Sequence, residues 1–490
     1  MKLMTLTFLT VSVWGFSQIP NFPNMKTPEA SSLGNYSNQT FSNPRSNVPA
    51  VPNNYLNGNL SKVEEQNRRM VMEDFKRVEA EEKERKRQQS ELNKDAEEMK
   101  FRGWVENGRS MSYDLPTYAG KAGIQSYYDA FDKLSSMDSE NYSLADVNFT
   151  VENAFYDNKR DLKSFKSGIQ KTAKQLLQKM KERKQDTESD VSKNLMIFEY
   201  FSKDMNLGGT THKAFEYDFK DYLGEKDWSK MFVSKLLKTG SGQCHSLPQY
   251  YLMLAEAMGT EAYLSLAPNH SYIRFIDDEG KLRNIELTNG MFSTDTSLLE
   301  SGYIKSEALQ NKIYMNNLTK KELLGMAYFD LARGYVHKFG YDEFVNKVID
   351  KALELYPNGI SPNMEKANVS RARLLSVLQR LGINPQDKND LQRTGYFPKA
   401  VEQFKQLNEQ FNTIDNLGYA EMPASAYESW LASLKTETSK QESEALAQRI
   451  RLYQLQKQKE KQEQDAVKKA QEKKKQEQKP RYIPIDPSKL

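Results

Sequence analysis

The chain has 490 residues, with 70 Lys and Arg against 66 Asp and Glu, a net charge of +4, 38% hydrophobic residues and a mean hydropathy of −0.78. A single cysteine excludes a disulfide-stapled scaffold, and outside the extreme N-terminus no apolar run approaches the ~18 residues of a membrane-spanning helix. Between Lys457 and Lys479 nine lysines face five acidic residues, an excess equal to the net charge of the whole chain. That basic excess lies on a Gln-rich stretch without aromatics, the opposite of a nucleic-acid interface, so no nucleic-acid partner is expected.

In chain order, residues 1–17 read as a signal peptide. Lys2 precedes a short apolar core, and Gly15 and Ser17 are small where a signal peptidase cleaves. An exported, periplasmic or extracellular protein is expected, with no integral membrane segment after signal removal. Residues 18–60, rich in Asn, Pro and Ser, read as a disordered linker. Residues 61–100 switch to helix formers with opposite charges three or four apart, which predicts a solvated charged helix. Val71, Phe75 and Val78 hint at a seam without a continuing heptad.

Residues 101–316 have globular composition. Helical periodicity marks 162–180, 191–201 and 228–237. Leu247, Tyr251, Leu254 and Met258 then place a helix over 244–258, with Pro248 in its first turn and Gly259 at its left-handed end. Short β-branched or aromatic runs predict strands at 262–266, 270–276 and 282–288, the last two joined across Asp277-Asp278-Glu279-Gly280. Residues 317–436 are helical. Tyr328, Leu331, Ala332 and Tyr335 have the spacing of a tetratricopeptide-like first helix, an ordinary helical bundle being the other reading. Residues 437–480 form a second charged, Gln/Lys/Glu-rich helix that Pro480 ends, and 481–490 are a tail. The fold class is therefore α+β, followed by an all-α region, with long charged helices near both ends.

Cys244 starts its helix after the flexible Gly240-Ser241-Gly242. A helix start favours the thiolate, the nucleophilic form, over the neutral thiol. Of the four histidines, His245 is adjacent and points about a hundred degrees away on a helix. His212 lies in a loop and His337 in the helical region. His270 opens a strand 26 residues on and is the candidate base. A three-residue hairpin loop with Gly280 in the left-handed position would pair Asp277 with Lys281 and Tyr272 with Glu286. Glu286 then lies diagonal to His270 on one face, and a loop one residue longer or shorter would turn it to the other. No metal is expected, because Cys244, His245 and His270 lack a further spaced ligand.

Gly242-Gln243-Cys244 before a helix, His270 opening a strand and Asn284-Ile285-Glu286-Leu287-Thr288 in the next resemble the transglutaminase-like branch of the papain-like cysteine enzymes. His245 stands where that family's pattern has Trp, and Glu286 where it has Asp. The resemblance implies a helical N-terminal part, a nucleophile helix packed on a small antiparallel sheet, and a triad of Cys244 as nucleophile, His270 as base and Glu286 as orienting acid. Gln243 and His245, flanking the cysteine, are expected to bind substrate. The expectation is an exported hydrolase or acyl transferase acting on an amide or ester of a protein or peptide through a thioacyl intermediate, without a cofactor. The alternative is a non-catalytic scaffold binding protein partners through its helical region and charged helices.

Overall fold

The structure is a computed structural model that describes residues 60–433 and 437–477. The expected signal peptide, all but the last residue of the linker, the helix break at Pro480 and the tail lie outside the described residues. The fold is mostly helical α+β with small sheets, and its contacts divide it into two compact units.

The smaller unit contains the charged helix Leu60–Ser110 and residues Arg380–Lys399. Ion pairs such as Lys86–Glu82 (3.0 Å) and Arg87–Glu91 (3.4 Å) run along this helix at four-residue steps. Val71, Phe75 and Val78 are exposed. The helix runs ten residues past its expected end at 100, and aromatic packing accounts for this. Trp104 stacks edge-on against Phe397 (4.8 Å between centroids), and its Nε1–H donates to the Leu381 carbonyl at 2.8 Å. A segment whose charge pattern has stopped is thereby kept helical by burial.

In the larger unit, helices Gln125–Ser135 and Leu144–Phe155 pack with the helix pair Lys320–Phe339 and Glu343–Leu355. Tyr127, Tyr328, Leu331, Tyr335, Val345 and Ile349 are buried in that core. The residues with repeat-like spacing thus face helices from an earlier part of the chain.

The second core surrounds the cysteine helix Ser246–Met258, packed against helices Leu162–Glu182 and Asp190–Ser202 and a four-stranded antiparallel sheet. The strands run in chain order: Tyr263–Ala267, His270–Ile276, Leu282–Glu286 and Met291–Ser293. The sequence did not signal the last of these. Ile273 pairs with Ile285 and Ile276 with Leu282, and the Asp277 N–H donates to the Lys281 carbonyl at 2.9 Å. This is the expected register, with Gly280 left-handed at φ 76°.

Met291–Ser293 is a sheet edge, and the helix Glu437–Glu477 covers it. The Phe292 N–H donates to Ser443 Oγ at 2.8 Å, Ala447 and Ile450 are buried, and Arg451 ion-pairs Glu199. The first half of this charged helix is therefore built into the fold rather than solvated on all sides.

Leu254 has no exposed surface and lies at the centre of the cysteine helix. Leu254→Ala is expected to cost about 2–5 kcal/mol, read as a lowered urea midpoint, because a close-packed site collapses only partly around the lost atoms.

Candidate active site

Gly242 lies against the start of the cysteine helix so closely that a Cβ there would fall 2.6 Å from Ser246 Oγ and 3.0 Å from Leu236 Cδ1, so a larger residue would have to push the Ser246 hydroxyl aside. The chain then turns through Gln243 and Cys244. The first helix-type hydrogen bond, Leu247 N–H to the Gln243 carbonyl at 3.1 Å, sets Cys244 in the turn just ahead of Ser246. The regular helix thus begins two residues later than expected, with Pro248 and the left-handed Gly259 placed as the sequence indicated. On the sheet side, Ala267 pairs with His270 across Pro268-Asn269, with Asn269 left-handed at φ 55°. The Cys244 sulfhydryl donates to the Asn269 carbonyl at 3.9 Å, and the Ser271 hydroxyl donates to the Cys244 carbonyl. The strand that carries the histidine is thereby fastened to the turn that carries the cysteine.

His270 Nε2–H donates to Glu286 Oε2 at 2.6 Å, with both side chains essentially unexposed. The other carboxylate oxygen, Oε1, accepts from the Thr288 N–H (3.0 Å) and hydroxyl (2.7 Å). Burial pushes the Glu286 carboxyl up, but the imidazolium charge and these donors hold it below its ordinary value. Burial pushes His270 down, and the Glu286 carboxylate together with the sulfur carries it up to about 10. The Cys244 thiol is raised by burial and lowered further by the His270 hydrogen bond and charge and by the Tyr427 hydroxyl, so that it ends below its ordinary value. These directions all favour moving the thiol proton toward an imidazole that Glu286 keeps cationic. Cys244, His270 and Glu286 are brought together.

The flanking residues serve differently. Gln243 is completely buried, and among the described residues neither atom of its amide has a hydrogen-bond partner, an omission that costs about 1–3 kcal/mol per group. Both His245 ring nitrogens are engaged, Nδ1 with the Met231 carbonyl (3.0 Å) and Nε2 with Asp330 Oδ2 (2.9 Å). Burial lowers His245, but Asp330 raises it to about 9. It is a structural cation whose ring is committed, which departs from its expected place in substrate binding. His212 stacks on Tyr200 (3.9 Å) and His337 on Trp228 (5.5 Å), so neither is part of the triad.

Two tyrosines that no local pattern marked complete the site. Tyr427 Oη lies 3.1 Å from His270 Nδ1 and 3.3 Å from Tyr217 Oη. Burial, the nearby sulfur charge and Tyr217 hold the Tyr427 phenol well above its ordinary value, so it stays protonated. Trp430 meets the imidazole edge-on at 5.2 Å. Tyr427 is 157 residues beyond His270, on the helix Ala424–Ser433. Among the described residues no group of His, Cys, Asp and Glu side chains is arranged to hold a metal ion.

The folded value of His270 lies above the ordinary imidazole value. Its stabilisation is therefore complete below about pH 6.5 and is lost as pH rises toward 10. Glu286, held low, stabilises above about pH 4.3 and loses this as pH falls through its folded value. In a Cys244→Ala background, which removes the thiol's own titration, Glu286→Gln is expected to lower the urea midpoint most between those two limits. The gap should narrow on the alkaline side, and a gap constant from pH 4 to 9 would contradict the ion pair. Asp330→Asn should bring His245 down from about 9 to below its ordinary value, read by NMR titration of its ring protons.

Neither a protein-family model nor a curated protein sequence matches the chain. Among solved structures, the chain is similar to a crystal structure of menin, described as revealing the binding site for Mixed Lineage Leukemia (MLL) protein. The identity is 12%, the overlap covers 66% of this chain and 89% of the menin chain, and the TM-score is 0.28. An overlay at that score assigns no fold.

Proposed function

We propose that the protein is an exported, transglutaminase-like cysteine hydrolase or acyl transferase that acts on an amide or ester carbonyl through Cys244, His270 and Glu286. The observation that carries this reading is the buried His270–Glu286 hydrogen bond of 2.6 Å beside a sulfur whose proton affinity the same imidazole lowers. A buried, paired imidazole at a helix-start thiol is costly to build, and perturbed groups of this kind concentrate at reactive sites.

The reactive form is the one in which the thiol proton has passed to His270. The thiolate electron pair attacks the carbonyl carbon and forms a carbon–sulfur bond, and the carbonyl electrons move to oxygen. The Cys244 backbone N–H and the unpartnered Gln243 amide are the donors at hand for that oxyanion. Collapse re-forms the carbonyl and expels the amine or alcohol, which takes the His270 proton and leaves a thioester. Water or an amine then gives a proton to His270 and attacks the thioester, the sulfur leaves as thiolate, and an acid or a new amide is released. Throughout, Glu286 fixes the ring's orientation and stabilises its cation.

One observation favours the scaffold reading. The imidazole has no exposed surface, because Tyr427 and Trp430 cover it. In that reading the array is an inherited structural pair and the chain works by holding partners.

Alkylation of Cys244 by iodoacetamide across pH 5–9 separates the two. The catalytic reading expects a midpoint well below the ~8.5 of a free thiol, moving up toward that value in His270→Ala. A midpoint near that of free cysteine in both proteins would leave only the scaffold.

A further inference from the structure

The cover over the triad is itself informative. Residues 422–431 lie against the face of the sheet that carries His270. Tyr427 and Leu431 are buried with Ala267, Tyr272 and Leu298, and the Tyr222 ring stacks on Tyr427 at 5.4 Å. Trp430 Nε1–H donates to the Ser297 carbonyl at 3.0 Å, and Asn269 Nδ2–H donates to the Met422 carbonyl at 2.8 Å. Asn269 belongs to the turn whose carbonyl accepts the Cys244 sulfhydryl. A backbone carbonyl of this segment is thus gripped by the side chain of the same residue whose carbonyl the sulfur contacts, while its aromatic side chains fill apolar positions beside the imidazole. These are the contacts a bound polypeptide makes: a main-chain carbonyl anchored by a fixed amide, and side chains in pockets.

Resting on the reading under "Proposed function", we propose that residues 422–431 occupy the site's own polypeptide groove, and that the substrate is a polypeptide segment with aromatic side chains that displaces them. The segment holds the site closed. Its displacement opens a path to the sulfur and frees the Nδ1 edge of His270 from the Tyr427 hydroxyl. The imprint it leaves specifies the substrate, with aromatic side chains where Tyr427 and Trp430 sit and a backbone carbonyl where that of Met422 sits. A self-covering segment leaves only by local opening, a transition less costly than global unfolding.

The test uses the full chain carrying Tyr427→Ala and Trp430→Ala together. Cys244 is expected to be alkylated by iodoacetamide at least ~10-fold faster than in the unmodified chain, because the covered state is depopulated. A synthetic peptide of residues 420–432 added in trans should restore protection, and the same peptide with both aromatics replaced by alanine should not. An unchanged rate, or acceleration without protection by the peptide, overturns the proposal. If the double variant loses its cooperative thermal transition, hydrogen exchange on the unmodified chain decides. Amides of Ala424–Ser433 should exchange well ahead of those of the cysteine helix Ser246–Met258, and equal exchange overturns the proposal. The two readings fail separately. Acceleration and peptide protection with the pH midpoint of free cysteine keeps the groove and removes the triad, whereas a low midpoint with no acceleration keeps the triad and removes the groove.

Discussion

The hydrogen bond from His270 to Glu286 is the constraint from which the rest of this site follows. It buries two ionisable groups with almost no solvent contact, an arrangement that is tolerable only while each is partnered by the other. Thr288 occupies the second carboxylate oxygen, and the Tyr427 hydroxyl lies at the ring's other nitrogen. Removing either member of the pair leaves the other buried without its partner. The pairing Ile273↔Ile285 that sets the strands in register therefore also sets the proton affinity of the thiol, through an imidazole that the strands hold in place.

The parts of this site that are local in sequence were legible in it. Flexible glycines before a thiol at a helix start, with a proline in the first turn, mark Cys244. Strand-forming residues around a turn with one glycine suited to the left-handed position point to the parity that the structure adopts, which brings Glu286 to His270. The missed parts are contacts between distant segments. Met291–Ser293 is three residues long and has no period to detect. Asp330 lies 85 residues from His245, and Tyr427 lies 157 from His270. A tyrosine on a short amphipathic helix looks the same whether it caps an imidazole or fills a core. The helix expected to stop at residue 100 continues to Ser110, because Trp104 finds Phe397 and the Leu381 carbonyl, partners encoded nearly three hundred positions later.

The two histidines that flank the chemistry show how one residue type is given two uses. Burial lowers both, and a carboxylate raises both. His245 has each nitrogen committed, one to a carbonyl and one to Asp330, so its charge stabilises the fold around the helix start. His270 has one nitrogen on Glu286 and the other toward a hydroxyl, and the nearby thiol raises its proton affinity. The difference lies in what the second nitrogen faces.

The covering of the sheet's open edge has a consequence for biosynthesis. Phe292 offers its N–H to Ser443, a partner 151 residues downstream. While a ribosome is still translating that interval, the strand Met291–Ser293 has no cover and can template pairing with another nascent chain. A product cut short before the final helix would therefore be more than a protein lacking its tail: it would be sticky along the flank of the very sheet that positions the imidazole.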